Sequence, residues 1–155
     1  MNSDMTRAML LYGMPNCGKS TIAYELVQKR LRNVFIIDGD RHREMQFLGD
    51  ALGFSKEDIM RNTDHVVKLA KFAQEQGTNV LISQITPYTS QRDLMKKELA
   101  NFVSVYCKCP DEVRKSRPNF VESDLVFEVG KPDWIIDTSV LSINECVNAC
   151  LLFCW

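Results

Sequence analysis

The amino-acid sequence predicts an α/β fold of three layers, with helices on both faces of a five-stranded parallel sheet. The first observation is a set of short apolar segments with strand character, AMLLY, NVFIID, NVLISQI, FVSVYCK and DWIID. The second is a set of helical patterns between them, at about residues 19–32, 57–76, 90–100 and 142–153. Because strands and helices alternate and the strands are so apolar, the sheet is expected to be parallel and covered on both faces.

The pattern over residues 57–76 shows how a single helix is predicted. Its apolar residues follow the i, i+3, i+4, i+7 spacing of a helix that buries one face. They are Val66, Leu69, Ala70 and Ala73. In front of the helix, Ser55 is followed three residues later by Asp58, which resembles a capping box with Asp in place of Glu.

Length and charge restrict the class of protein. A chain of 155 residues is expected to form one domain over residues 1–155, and its formal net charge of −1 argues against a nucleic-acid partner. The apolar N-terminal run is too short for a signal peptide or a membrane span. We therefore expect a cytoplasmic protein that acts on small molecules. Six cysteines are present, but without a C-x-x-C pair they do not predict a metal site.

The segment YGMPNCGKST carries the strongest motif. Gly13, Gly18, Lys19 and Ser20 fit G-x-x-x-x-G-K-[ST], with a predicted strand before them and a predicted helix after them. Backbone N–H groups at such a turn hold the phosphates of a nucleotide, together with the helix dipole. The motif predicts a fold like that of P-loop nucleoside-triphosphate hydrolases, with the polyphosphate of a nucleotide held by the turn. The residues of this predicted nucleotide-binding loop, which the family resemblance described below assigns to ATP, are Gly13, Met14, Pro15, Asn16, Cys17, Gly18, Lys19, Ser20 and Thr21.

Two of these side chains have chemical roles. Lys19 is expected to reach the β- and γ-phosphates as a catalytic residue, and the Ser20 hydroxyl is expected to ligate Mg²⁺.

After the second predicted strand, DGDRHR places Asp38 and Asp40 around a glycine, followed by Arg41 and Arg43. A phosphoryl-transfer enzyme needs a carboxylate that orients the acceptor hydroxyl or holds Mg²⁺ through water, and guanidinium groups that bind an anionic acceptor.

Taken together, the motifs resemble the adenylylsulfate kinase (APS kinase) family. The segments are GMPNCGKSTIA, FIIDGDRHR, LGFSKEDIMRN, ITPYTSQRD, CPDEVRKSR and the final IDTS, and they extend from about residue 9 to residue 145. The resemblance implies ATP-dependent phosphorylation of the ribose 3′-hydroxyl of adenylyl sulfate, which gives PAPS and ADP with Mg²⁺.

The resemblance also implies roles for individual residues. Asp40 matches the acidic residue beside the acceptor hydroxyl and is the second predicted catalytic residue, while Arg117 matches an arginine beside the ATP base. The predicted acceptor-binding residues are Asp40, Arg43, Phe54, Asn62, Ile85, Thr86 and Phe120. Among them, Phe54 matches a ring that stacks on the acceptor adenine, and Phe120 is expected to be the opposite ring.

The chain departs from the family pattern around the acceptor. The family has a long lid with a lysine after the position of Arg117, whereas here RPNF follows almost directly. Lys115 and Lys131 are the available replacements for that lysine. Ile59 stands where the family has a substrate-contacting arginine, and Gly49-Asp50 looks like an insertion. Fewer cations should weaken binding of an anionic acceptor.

Two alternatives follow from these departures. The acceptor could be another nucleotide conjugate, such as a cytidine diphosphate derivative, or the chain could bind nucleotide without turnover. The apolar end CLLFCW is compatible with packing against the body or in a homodimer.

Overall fold

The computed structural model describes residues 5–29, 31–45, 47, 49 and 52–154. Its five strands form a single sheet in the order β2-β3-β1-β4-β5, and every neighbouring pair is parallel. The strands are β1 Ala8–Tyr12, β2 Val34–Asp38, β3 Asn79–Ser83, β4 Phe102–Lys108 and β5 Trp134–Asp137. The predicted parallel sheet is therefore confirmed.

Four predicted helices are present and two short ones were missed. The helices are α1 Lys19–Lys29, α2 Gly39–Glu44, α3 Lys56–Glu75, α4 Thr89–Glu98, α5 Asp111–Ser116 and α6 Ile143–Cys154. Helices α2 and α5 have six residues each, too few for an apolar stripe to repeat. Helix α2 forms because Asp38 caps it, with its side chain accepting hydrogen bonds from the backbone N–H groups of Asp40 and Arg41.

Apolar residues pack on both faces of the sheet. On one face, Met9 and Leu11 of β1 join a buried cluster with residues of α1 and α6, including Leu26 and Val147. On the other face, Leu10 joins a cluster with residues of α3 and α4. Successive strand residues point to opposite faces, so β1 contributes to both cores and is held firmly at the centre of the sheet.

The start of α3 differs in detail from the predicted capping box. The Ser55 hydroxyl accepts from the backbone N–H of Asp58, as predicted. The Asp58 carboxylate accepts from the backbone N–H of Gly53 at 3.1 Å and from the Ser55 hydroxyl at 3.0 Å. These contacts close the turn that carries Phe54.

The predicted insertion at Gly49-Asp50 lies largely outside this description, since Asp50 is not among the described residues. Over the ranges that the structure covers, no helix is both long enough and apolar enough to span a membrane.

Candidate active site

One cavity of about 1270 Å³ contains most of the predicted site residues. It lies at the carboxyl ends of the strands, where ligands bind in open parallel sheets. Its lining comes from the turn after β1, the start of α1, the ends of β2 and β3, the first half of α3, and the irregular segment after α5.

The glycine-rich turn after β1 has no room for a side chain at Gly13. A Cβ there would lie 2.6 Å from the carbonyl oxygen of Cys107 and 2.9 Å from the Cys17 sulfur. The Gly13 N–H donates to the carbonyl oxygen of Ile85, so the turn is tied to the end of β3. Gly18 has a φ of +99°, a conformation that other residues rarely adopt. Both motif glycines are thus required by the backbone.

Lys19 is buried and folded over the turn. Its Nζ donates to the carbonyl oxygens of Gly13 at 3.0 Å and Met14 at 2.9 Å, and it contacts the Cys17 sulfur at 3.5 Å. The ammonium group therefore lies beside the backbone that would hold phosphates, as the motif predicted. Bound phosphate oxygens would take over part of this hydrogen bonding.

Cys17 lies in an electrostatically unusual place. It is buried, and its pKa is lowered to about 6 by a hydrogen bond with Cys107 and by the neighbouring Lys19, against the opposing effect of burial. The pKa of Cys107 is raised by the same hydrogen bond and by burial. Negative charge on this pair therefore resides on Cys17, beside the lysine.

Ser20 and Asp38 meet at the floor of the cavity. Ser20 Oγ donates to Asp38 Oδ2 at 2.7 Å, and it lies 3.4 Å from Ser83 Oγ. A hydroxyl and a carboxylate in contact form an oxygen donor set of the kind that Mg²⁺ prefers. The DGD motif alone does not decide which carboxylate holds Mg²⁺ and which orients the acceptor; the contact with Ser20 distinguishes Asp38 from Asp40.

Asp40, Arg43 and Phe54 also line the cavity. Asp40 is exposed, and its charge together with that of Asp58 favours the protonated form of Arg43, whose pKa is lowered by burial. The Arg43 guanidinium lies 4.4 Å from the centroid of the Phe54 ring. Phe54 is 65% exposed, so its ring offers an open surface for a planar group.

Asn62 is the most deeply buried of the predicted acceptor-binding residues. It is 1% exposed and lines the cavity. A hydrogen bond with Asn62 raises the pKa of His42 against the effect of burial, so the amide contacts this imidazole. Its Oδ1 makes no other hydrogen bond among the described residues, and a carbonyl oxygen accepts up to two, so the atom can also accept one from a ligand. Ile59, one turn earlier, also lines the cavity.

Ile85 and Thr86 form the wall after β3, as predicted. Thr86 is buried and has a φ of 48°, which is unusual for a β-branched residue. Its carbonyl oxygen accepts from Arg92 Nη1 at 2.6 Å. This contact holds the strained backbone in place, as is common at functional sites.

Residues 118–129, which we call the strap, cover the side of the cavity. At its start, Asn16 Nδ2 donates to the carbonyl oxygen of Pro118 at 3.1 Å. Arg117 Nη1 donates to the carbonyl oxygen of Asn16 at 2.9 Å, and its Nη2 donates to that of Thr138 at 2.7 Å. Arg117 thus joins the strap to the glycine-rich turn and lines the cavity there.

The far end of the strap is anchored as firmly. The Tyr12 hydroxyl donates to the carbonyl oxygen of Val129 at 2.6 Å. Arg92 also donates to the carbonyl oxygens of Glu128 and Val129, and the Glu128 N–H donates to that of Pro87. The short segment that replaces the expected lid therefore forms a fixed wall.

Phe120 does not have the position that the sequence predicted. The Arg114 guanidinium carbon lies 5.3 Å from the centroid of the Phe120 ring. Phe120 is absent from the cavity lining. Val121 lines the cavity instead, and no ring contact joins Phe120 to Phe54 in the described ranges. Because Arg114 is buried, the Phe120 ring that contacts it is held beside Arg114 and not in the cavity.

The two lysines considered as replacements for the lid lysine, whose sequence positions alone do not support that role, are also absent from the lining of the cavity. Neither Lys115 nor Lys131 lines it. Among the described lining residues the cations are Lys19, Arg43 and Arg117. The strap instead contributes the carboxylates of Glu122 and Asp124.

A phosphate-binding turn and a carboxylate pair at the edge of a parallel sheet define a P-loop phosphotransferase. The family model described as adenylylsulphate kinase matches residues 5–119. The chain belongs to the adenylylsulphate kinase family. The matched residues end where the strap begins, so Phe120 lies beyond them.

Curated relatives extend the likeness over most of the chain. An adenylyl-sulfate kinase from Clostridium kluyveri is 33% identical over 161 aligned residues, which cover 91% of this chain and 79% of the relative. A probable adenylyl-sulfate kinase from Pseudomonas aeruginosa is 41% identical, with coverage of 88% and 71%.

Solved structures share the fold. The APS kinase of Mycobacterium tuberculosis in complex with AMPPNP and APS has a TM-score of 0.81 at 23% identity, with 96% of each chain covered. A hexameric APS kinase from Thiobacillus denitrificans has a TM-score of 0.69 at 24% identity; the match covers 97% of this chain and 29% of that one.

Proposed function

We propose that this chain transfers the γ-phosphoryl group of ATP to the ribose 3′-hydroxyl of adenylyl sulfate, forming PAPS and ADP. The observation that carries the proposal is that one cavity is lined by both sets of predicted residues. We assign Lys19, Ser20 and Asp38 to an ATP half of this cavity, and Asp40, Arg43, Phe54 and Asn62 to an acceptor half. The relatives named as adenylyl-sulfate kinases support this choice of acceptor.

In the ATP half, the backbone N–H groups of residues 13–21 and the Lys19 ammonium bind the β- and γ-phosphates. Arg117, which donates hydrogen bonds to the carbonyl oxygens of Asn16 and Thr138, contacts the base of ATP in this proposal. Ser20 and Asp38 would hold Mg²⁺ through their oxygen atoms. When bound, Mg²⁺ neutralises charge on the transferring phosphoryl group.

In the acceptor half, Asp40 orients the attacking hydroxyl and takes its proton. The Phe54 ring stacks on the base, and Arg43 pairs with the anionic group of the acceptor. The buried Oδ1 of Asn62 accepts a hydrogen bond from the acceptor. Because the strap is fixed at both ends, it excludes water without the movement of a long lid.

A second candidate keeps the chemistry and changes the acceptor. Ile59 provides an apolar surface where the family pattern has an arginine, and Arg43 is the sole lining cation of the described acceptor half. These features favour a less anionic nucleotide conjugate, such as a cytidine diphosphate derivative. Binding without turnover is less well supported, because Lys19, Ser20, Asp38 and Asp40 are all in place.

The proposed partners are small molecules only, in keeping with the net charge of −1. A homodimer stays a prediction. Leu152 is 76% exposed in the apolar C-terminal segment, and the side chains after it lie outside the described residues. Measurement of the mass in solution would test self-association.

The decisive experiment is an assay with ATP, Mg²⁺ and adenylyl sulfate that follows both ADP release and the nucleotide product. The proposal expects equal amounts of ADP and PAPS at an enzymatic rate. Background ADP release with adenylyl sulfate, together with turnover of a cytidine diphosphate conjugate, would establish the second candidate. ATP binding without transfer to any conjugate would indicate a binding module.

A further inference from the structure

Gln84 lies against Gly39, the residue between Asp38 and Asp40, yet the family motifs give it no role. In the parallel ladder Asp38 pairs with Ser83, so Gln84 directly follows this pair. The Gln84 side chain crosses the α-carbon of Gly39, and a Cβ on Gly39 would lie 2.9 Å from Gln84 Cγ. The glycine between Asp38 and Asp40 therefore leaves space for Gln84.

The backbone of Gln84 is fixed on both sides. Its N–H donates to the carbonyl oxygen of Leu11 at 3.1 Å, and its carbonyl oxygen accepts from the Thr86 hydroxyl at 3.2 Å. The side chain thus leaves a rigid segment and lines the cavity. A side chain held in this way is positioned before any ligand binds.

The amide of Gln84 has an unused hydrogen-bonding atom. Its Oε1 is buried and has no partner among the residues that the structure describes. Gln91, which lines the same cavity, shows the contrast: its Oε1 accepts from the Tyr88 N–H and its Nε2 donates to Thr63 Oγ1. The Gln91 amide stabilises the fold through these two hydrogen bonds, whereas Gln84 Oε1 requires a donor from a bound ligand.

The proposed roles of the neighbouring residues indicate which group of the acceptor can donate to Gln84. Asp40 binds the attacking 3′-hydroxyl, and Phe54 and Asn62 bind the base. The part of the acceptor that remains beside Gly39 is the sugar. We infer that Gln84 is a specificity-determining residue whose Oε1 accepts a hydrogen bond from the ribose 2′-hydroxyl of the acceptor. This inference rests on the proposed function, and it predicts that the enzyme distinguishes ribose from deoxyribose.

The test combines a residue change with a substrate change. Wild type and Gln84→Met are compared with adenylyl sulfate and with its 2′-deoxy analogue, by kcat/KM. Methionine keeps the unbranched chain that passes Gly39 and removes the amide. Gln76→Ala, at an exposed glutamine after α3, is the matched control.

Wild type should use the deoxy analogue about tenfold less well, because a buried acceptor is then left unpaired. Gln84→Met should lose about tenfold with adenylyl sulfate and use both acceptors within about twofold of each other. Gln76→Ala should discriminate like wild type. The affinity of each variant for AMPPNP and its thermal midpoint show whether the fold and ATP half are intact.

Two results overturn the inference while leaving the proposed function in place. One is a wild type that turns over adenylyl sulfate and its deoxy analogue equally. The other is an intact Gln84→Met that still discriminates about tenfold, which would assign the 2′-hydroxyl to another group. A wild type without turnover of adenylyl sulfate would overturn the proposed function and the inference together.

Discussion

Ser20 Oγ donates a 2.7 Å hydrogen bond to Asp38 Oδ2, and this contact links the start of α1 to the end of β2. It separates the roles of the two carboxylates in DGD. Asp38 faces the hydroxyl that is suited to Mg²⁺ and caps α2 with its other oxygen. Asp40, two residues later, is exposed to the acceptor half of the cavity.

Replacement of Asp40 tests the acceptor side alone. Asp40→Asn keeps the size of the side chain and removes its ability to take a proton. We expect unchanged affinity for AMPPNP and a fall in kcat of about a hundredfold or more. Single-turnover kinetics with adenylyl sulfate would measure the loss, and full activity of the variant would show that Asp40 is not the base.

Replacement of Asp38 should affect the other half. Asp38→Asn keeps an oxygen for the cap of α2 but removes the charge beside Ser20. We expect the Mg²⁺ concentration needed for half-maximal rate to rise several-fold, with little change in the KM for the acceptor. A Mg²⁺ titration at saturating acceptor would measure it. The same Mg²⁺ titration on Asp40→Asn is the control. An equal rise in the half-maximal Mg²⁺ concentration in both variants would contradict the assignment of Mg²⁺ to Asp38 and of the acceptor hydroxyl to Asp40.

Lys19→Ala tests the phosphate-binding turn. The loss of the ammonium that contacts Gly13 and Met14 should lower kcat/KM by about a hundredfold or more, because no other lining cation of the described turn can replace it. Circular dichroism should show an intact fold. Lys29→Ala, at the exposed end of α1, should keep wild-type activity; a similar loss there would indicate a general effect on the helix.

The sequence predicts the sheet and the glycine-rich turn, because these features depend on local patterns. The contribution of Arg43, Phe54 and Asn62 to one cavity is predicted through the resemblance to the family motifs. The placement of Phe120 is not predicted, since it depends on its contact with the buried Arg114. The contact of Asp38 with Ser20 joins β2 to α1, and that of Gln84 with Gly39 joins the ends of two neighbouring strands. Such contacts follow from sheet order, which periodicity alone does not specify.

Arg92→Met tests the support of the strap. Arg92 is buried and donates to the carbonyl oxygens of Thr86, Glu128 and Val129. Its loss leaves the carbonyl oxygens of Thr86 and Glu128 without this donor, while Val129 keeps the Tyr12 hydroxyl, so we expect the free energy of unfolding to fall by about 3 kcal/mol. The KM for the acceptor should rise more than the KM for ATP. Urea unfolding and initial rates would measure both, with the exposed Lys96→Met on α4 as control; equal KM changes for both substrates would contradict this role.

A buried histidine, His42, contacts the half-buried His65. His42 Nε2 is 2.8 Å from His65 Nδ1, and both rings contact Phe47. Burial lowers the pKa of His42 below its ordinary value of 6.5, and the charges of His65 and Arg43 lower it further, against the opposing effect of a hydrogen bond with Asn62. His42 therefore resists protonation in the folded state.

This shift predicts how stability depends on pH. As the pH falls below 6.5, the unfolded chain binds a proton at His42 that the folded chain does not, so the free energy of unfolding decreases until the pH reaches the lower pKa of the folded state. Above pH 6.5 the contribution is constant. Urea unfolding at pH 5.5 and 7.5 would measure the difference. His42→Phe combined with His65→Phe keeps rings beside Phe47 and should reduce it; an unchanged difference would assign the pH dependence to other groups.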